Sequence, residues 1–252
     1  MTLPRPLLAL LLLGALLLSG CGLFGGRPKP IPPVGQLYQD GEAQLAKGSY
    51  DKARDAFTML YEHYADSYLA GRARFLVGEA HYREKEYEKA IKEFEAFLTF
   101  YPGAAIADLA QYRLAMSYYD QLQTVEKDQG LTAKALAKFQ KLVKHYPESR
   151  YAPDALAKIE ICRNRLAQKE LWVAEYYVKQ RSYAAALQRL EVILRDYPRA
   201  LVIPQTLYLQ GDALFRLGQP EEAAKPIRRL VEEFGHTEWA RRAYQRYSGL
   251  LR

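Results

Sequence analysis

The sequence predicts an all-α solenoid of five helix pairs closed by a C-terminal helix. Three observations carry that reading. From about residue 36 the 252-residue chain is rich in Ala, Leu, Tyr, Lys, Glu and Arg and poor in Gly and Pro, a composition that favours helix. Five segments within it align: "GSYDKARDAFTMLYEHYA" from Gly48, "KEYEKAIKEFEAFLTFYP" from Lys85, "GLTAKALAKFQKLVKHYP" from Gly130, "RSYAAALQRLEVILRDYP" from Arg181 and "GQPEEAAKPIRRLVEEFG" from Gly218. Three of them close on Tyr-Pro, at Tyr101, Tyr146 and Tyr197, where proline disfavours α geometry in the preceding residue and cannot continue the ladder.

In chain order, the first element is not part of the solenoid. "MTLPRPLLALLLLGALLLSGCGLFGG" has one positive residue, Arg5, then an apolar run from Leu7 to Leu18 and the small residues Ser19 and Gly20 before Cys21. That is the build of a secretory signal over residues 1–20. The rival is a membrane span, since Leu7 to Phe24 is an uncharged stretch of 18 residues, near the lower limit. Glycines at 20, 22, 25 and 26 and the Pro-rich segment that follows argue against it. Leu-Ser-Gly-Cys resembles the lipobox of bacterial lipoproteins, in which the signal is cut before the cysteine and the thiol carries a diacylglycerol. Cys21 is therefore the expected lipidation site, and two or more acyl chains on one residue anchor stably. Residues 21–35, with Pro28, Pro30, Pro32 and Pro33, read as an extended tether, on the order of 30–40 Å long. Lipoproteins with Asp after the cysteine tend to stay in the inner membrane. The residue here is Gly22, so the outer membrane is expected, with the folded part on its periplasmic face.

The repeats fall at about 36–65, 68–101, 105–146, 152–197 and 204–234, with a last helix at 237–251. Each has an alanine in register (Ala53, Ala90, Ala135, Ala186, Ala223), a large apolar residue four later (Phe57, Phe94, Phe139, Leu190, Ile227) and an aromatic eleven later (Tyr64, Tyr101, Tyr146, Tyr197, Phe234). Four of five have a small residue twelve earlier: Gly41, Gly78, Ala174 and Gly211. This is the tetratricopeptide pattern. Small residues sit where helices A and B of one hairpin cross, and the bulky residue fills the gap behind them. Within the first helix B, Ala53, Ala56, Phe57, Leu60, Tyr61 and Tyr64 form an apolar stripe of helical period. Tyr64 is followed by Ala65 instead of Pro, which leaves the exit of repeat one less defined. The alanine spacing is 37, 45, 51 and 37. The first excess is a polar loop, "DQLQTVEKDQG" at 120–130. The second makes one long helix from Ala152 to Gln180, stretched by about four turns. Such repeats bury their faces only against neighbours, so one solenoid accounts for the whole body.

Formal net charge is +7. In the periplasm nucleic acid is an unexpected client, so the positive balance points to acidic protein surfaces or anionic lipid. The four histidines, at 63, 81, 145 and 236, have no metal-ligand spacing, and no metal or cofactor is expected. Cys162 has no intrachain partner once Cys21 is lipidated, and reads as a small buried apolar residue. Glu148-Ser149 is a pair also found in lytic transglycosylases. A catalytic glutamate needs a cleft that raises its pKa, whereas Glu148 follows Tyr146-Pro147 in a turn and Ser149 is placed to cap the long helix. No catalytic residue is expected.

The lipobox, the five repeats, the inserted loop and the long helix together resemble the BamD family, lipoproteins of the outer-membrane β-barrel assembly machinery. The stretches "YRLAMSYYDQ" (112–121), "DQGLTAKALAKFQKLVKHYPESRYAPDA" (128–155) and "RNRLAQKELWVAEYYVKQRSYAAALQRLEVILRDYP" (163–198) carry the resemblance. It implies a non-enzymatic scaffold that binds the POTRA region of BamA and other lipoprotein subunits through C-terminal repeats. It also implies that N-terminal repeats receive the C-terminal targeting segment of unfolded outer-membrane proteins. The alternative is another tetratricopeptide adaptor lipoprotein, for pilus assembly or attached to peptidoglycan. Counting along helix A places Tyr38, Glu42, Arg72, Phe75, Glu79, Tyr82, Tyr112 and Tyr119 on the concave face, an aromatic groove suited to an extended apolar peptide or, equally, ordinary packing between repeats. Arg189 has Ala185, Ala186, Val192 and Ile193 at helical neighbour positions, so it has no intrahelical partner, unlike Arg195 (Glu191), Arg228 (Glu232), Arg229 (Glu233), and Arg241 and Arg242 (Glu238). An unpaired guanidinium suits a carboxylate on another protein, and the resemblance places an arginine of this motif at the BamA contact.

Overall fold

A computed structural model describes residues 30–251. The signal segment 1–20, Cys21 and the tether as far as residue 29 lie outside the described residues. The chain forms hairpins α1 (Val34–Ala46) and α2 (Tyr50–His63), α3 (Ala70–Arg83) and α4 (Tyr87–Phe100), α5 (Ala107–Tyr119) and α6 (Gly130–His145), α7 (Ala152–Lys179) and α8 (Tyr183–Asp196), and α9 (Ile203–Arg216) and α10 (Pro220–Phe234). The closing helix, expected over 237–251, is α11 (Glu238–Tyr247) followed by a 3-10 turn over Ser248–Leu250. Among the described residues there is no strand, and each helix packs on the next in chain order.

Four hairpin turns share one geometry. Gly48, Lys85, Arg181 and Gly218 each take a positive φ of 58–74°, and the next residue returns its N–H five residues back, as from Ser49 to the Gln44 carbonyl at 2.9 Å. This is the Schellman end of helix A. Glycine adopts it without a Cβ penalty, whereas Lys85 and Arg181 sustain about 1–2 kcal/mol of local cost. The hairpin-to-hairpin corners are equally uniform. Tyr101, Tyr146 and Tyr197 end their helices at φ −129 to −133° and ψ 50–60°. Tyr64 does the same at −128° and 49°, so the exit of repeat one is regular without its proline. Its hydroxyl donates to the Pro32 carbonyl at 3.0 Å, fixing where the tether enters the fold.

The core has three clusters. Leu37, Phe57, Leu60 and Val77 anchor the first, and Phe75, Phe94, Phe97, Leu114, Phe139 and Leu142 the second. The third centres on Leu190, Ile193, Leu207 and Ile227. Helix α7 joins the last two. Ala152, Ala155, Ile159 and Cys162 belong to the second cluster, while Ala167, Leu171 and Ala174 belong to the third. Its 28 residues are twice the length of α8, so the C-terminal hairpins are displaced along it by about 20 Å at 1.5 Å per residue. The 120–130 loop is pinned to this helix. Buried Gln129 donates to the carbonyls of Thr124 (2.9 Å) and Lys127 (3.2 Å) and accepts from Arg165 Nε at 3.1 Å. Lys169 Nζ donates to the Glu126 carbonyl at 2.8 Å. The insertion and the helix extension are thus one structural unit.

Cys162 is a buried free thiol, and burial pushes its pKa up to about 11, which keeps it unreactive. Ser149 does not cap α7, whose N-cap is Tyr151. Its hydroxyl accepts from the Tyr151 N–H at 3.1 Å and donates to Asp108 at 2.7 Å. Glu148 is exposed in its turn.

Candidate functional site

The A helices α1, α3, α5, α7 and α9 are laced to one another by side chains, and this shared face holds the eight residues expected to meet a peptide. The structure divides them. Phe75 is 6% exposed and packs against Phe94 and Phe97, ring centres 5.5 and 5.9 Å away. It lacks a hydroxyl to hold it at the surface and belongs to the core, so its assignment to the groove is corrected. Glu79 is 5% exposed and is likewise withdrawn. Arg113 of α5 lies side-on to its carboxylate, Nε 2.8 Å from Oε2 and Nη2 3.2 Å from Oε1. The Nε approach is too bent to be a hydrogen bond, so charge and the Nη2 bond hold the pair. Arg83 adds a contact at 3.1 Å.

The other six remain partly or fully exposed. Tyr38 donates to Glu42 at 2.8 Å, and the positive charge of Arg72 of α3 acts on the same hydroxyl. Tyr82 donates to Asp120, with the Arg113 guanidinium 5.1 Å from its ring centre. Tyr112 donates to Asp154 at 2.7 Å and stacks on Tyr151 at 4.9 Å. Tyr119 lies edge-on to Phe139 at 6.0 Å and under Lys158 Nζ at 4.8 Å. The hydroxyls of Tyr38, Tyr82 and Tyr112 therefore already have carboxylate acceptors, and an incoming chain would meet ring faces and the Glu42 and Arg72 charges.

A regularity missed in the sequence explains the lacing. A small residue followed by an acid recurs as Gly41-Glu42, Gly78-Glu79, Ala174-Glu175 and Gly211-Asp212. Glu175 accepts from Gln205 Nε2 of α9 at 2.6 Å. Buried Asp212 accepts from the Tyr247 hydroxyl and lies 3.3 Å from Arg246, both of the closing helix. The small residue lets the hairpin close, and at Glu79, Glu175 and Asp212 the acid beside it fastens the next A-face helix, while Glu42 is bonded within its own helix to Tyr38.

Burial, and next the bond to Asp154, push the Tyr112 pKa from 10.0 up to about 12. Burial and hydrogen bonds to Asp120 and Asp212 raise Tyr82 and Tyr247 in the same way. A raised folded-state pKa contributes stability that is complete below pH 10 and lost as pH climbs through 12. Thermal melting followed from pH 9 to 12 should fall across that window, and Tyr112→Phe should flatten the fall.

Arg189 departs from the expectation. It has no partner on α8, but Glu170 of α7 stands 3.3 Å from its Nη1. The pair spans the hairpin, nineteen residues apart, beyond the reach of a helical-neighbour count. The side chain is about 45% exposed, so it is accessible but not free. Nearby, Arg195 pairs with the adjacent Asp196 at 2.8 Å instead of Glu191, while Arg229–Glu233 and Arg242–Glu238 form as expected.

Among the described residues no helix is long and apolar enough to cross a membrane, and no His, Cys, Asp and Glu cluster could hold a metal. Five hairpins laced along one face define a tetratricopeptide-type repeat protein. Residues 32–230 match the YfiO family model, described as outer membrane lipoprotein. The chain is 30% identical over 230 residues to the outer membrane protein assembly factor BamD of Caulobacter vibrioides, covering 90% of this chain and 75% of that one. It is 27% identical over 245 residues to BamD of Rickettsia prowazekii, 97% of each. Among solved structures it overlays on the TPR2AB domain of yeast Sti1 with a TM-score of 0.43 at 13% identity over 86% of each chain, a similarity too loose to bear on function. The chain belongs to the YfiO family of outer membrane lipoproteins.

Proposed function

We propose that this chain is a non-enzymatic scaffold of outer-membrane protein assembly, anchored through Cys21 on the periplasmic face of the outer membrane. Its C-terminal repeats bind the POTRA region of BamA around Arg189, and other lipoprotein subunits join the complex. Its N-terminal repeats receive the targeting segment of unfolded outer-membrane proteins along Tyr38, Glu42, Arg72, Tyr82, Tyr112 and Tyr119. The observation that carries this reading is the similarity to assembly factors over nearly the whole repeat body.

A photo-crosslinker tests the peptide face. At Arg72, which is exposed and not needed for any hydroxyl–carboxylate link, it should capture peptides ending in an aromatic residue. At Lys92, exposed on helix B, it should not. Equal capture at both positions would assign the contacts to nonspecific adhesion. For the partner face, Arg189→Ala should leave helicity and melting nearly unchanged and weaken BamA association by about 2 kcal/mol, the low end for truncating one partner of a charged pair. The low end applies because the Glu170 pair has to be given up in the complex. Unchanged BamA affinity would move the contact elsewhere in the C-terminal repeats.

A further inference from the structure

Glu170 and Arg189 occupy a place that recurs in the other uninterrupted hairpins. Sixteen residues before the aligned alanine and three after it stand Leu37 and Ala56 in repeat one, Arg74 and Glu93 in repeat two, Glu170 and Arg189 in repeat four, and Leu207 and Pro226 in repeat five. Helix A supplies the first residue of each pair and helix B the second. Leu37, Leu207 and Pro226 are buried, so two hairpins close at this place without charge. Repeat two has an arginine on helix A and a glutamate on helix B, 3.4 Å apart. Repeat four has the same pair with the charges exchanged, 3.3 Å apart.

The surroundings of the two ion pairs differ. Arg74 lies between the rings of Tyr61, from the preceding hairpin, and Phe100, 4.9 and 5.0 Å from their centres, and its side chain is 24% exposed. In repeat four the preceding hairpin packs on the first half of α7, away from this place, and the Arg189 side chain is left about 45% exposed. Hairpin closure does not require a charged pair here, and solvent reaches this one. The contact is also easily exchanged. One nitrogen, Nη1, donates to one oxygen, Oε2, at 3.3 Å, and ion pairs this exposed contribute little to stability. Among the described residues neither side chain has another ion-pair partner. A carboxylate that docks on Arg189 must approach the charge of Glu170, and like charges brought together oppose association.

We propose that Glu170 is an internal competitor for the Arg189 guanidinium and sets the affinity of the partner face. It neutralises Arg189 in the free chain, so a partner acid gains from the contact only what exceeds the Glu170 bond. That condition favours a bidentate carboxylate over an acid that reaches a single nitrogen. The role rests on the BamA contact proposed for Arg189.

The test measures the affinity of the full-length lipidated chain for full-length BamA, both in detergent micelles. Glu170→Gln keeps the shape of the side chain and removes its charge. It should bind BamA roughly two- to fivefold more tightly, the factor that a partly exposed ion pair can oppose, with melting nearly unchanged. In an Arg189→Ala background the same change should give no gain, because nothing is left to compete for. Unchanged or weaker binding by Glu170→Gln, while Arg189→Ala loses affinity, would overturn the competitor role and leave the BamA contact standing. An equal gain with Arg189→Ala in place would also overturn it, since Glu170 would then repel the partner directly. No loss of affinity in Arg189→Ala would remove the BamA contact and the competitor role together.

Discussion

Cys21→Ala should yield a longer precursor that keeps residues 1–20, carries no acyl mass and fails to reach the outer membrane. The expectation follows from there being one cysteine at the end of the apolar run and no described helix able to cross a bilayer. Each acyl chain would contribute about 0.8 kcal/mol per buried methylene, so a chain without the proposed lipid would lose its outer-membrane anchor. The fold itself should be untouched, because among the described residues Tyr64 holds the tether at Pro32, eleven residues past Cys21. A purified Cys21→Ala body that lacks the signal should therefore melt as the native body does. A native mature protein that starts at any residue other than Cys21, or has no acyl mass, would contradict the anchoring.

Phe94→Ala should cost about 3–5 kcal/mol in denaturant unfolding, the range for emptying a buried aromatic site. Phe94 is fully buried and fills the space that Gly78 leaves. A Cβ on Gly78 would stand 2.8 Å from Phe94 Cε1. The converse change, Gly78→Ala, overpacks that crossing and should cost about 1–3 kcal/mol. Because the two meet at one point, Gly78→Ala combined with Phe94→Leu should be less damaging than the sum of the single changes. Strict additivity would mean that the crossing does not depend on this contact. Hydrogen exchange should place the loss in the first and second clusters and leave α8 to α11 protected, since repeats couple mainly to their neighbours.

The repeat frame was legible because its rules are local. Alanine, bulky residue and terminal aromatic recur at fixed spacing, and proline marks three of the five exits. The first exit shows that the aromatic suffices, since Tyr64 takes the same φ and ψ as the tyrosines before proline. The left-handed turns at Lys85 and Arg181 were not legible, because the residue types that favour that geometry are absent there. Long-range pairings also escaped. Arg189 and Glu170 meet across a hairpin, and Arg165 reaches Gln129 of the inserted loop from thirty-six residues away. Phe75 and Glu79 were placed on the open face by position alone. Their fate depends on Phe97 and Arg113, which helix-A numbering does not see. The acid that follows each small residue was visible in the sequence, and its recurrence in four repeats was the available signal.

These surfaces are proposed to serve outer-membrane protein assembly. The most direct measurement is to purify the full-length chain from its membrane with the lipid intact and to identify the stoichiometric companion. Recovery of a BamA-type barrel with its POTRA region, weakened by Arg189→Glu and restored by an acidic-to-basic change in the partner, is the predicted result. Recovery of pilus-assembly or peptidoglycan-bound proteins with no BamA would contradict it.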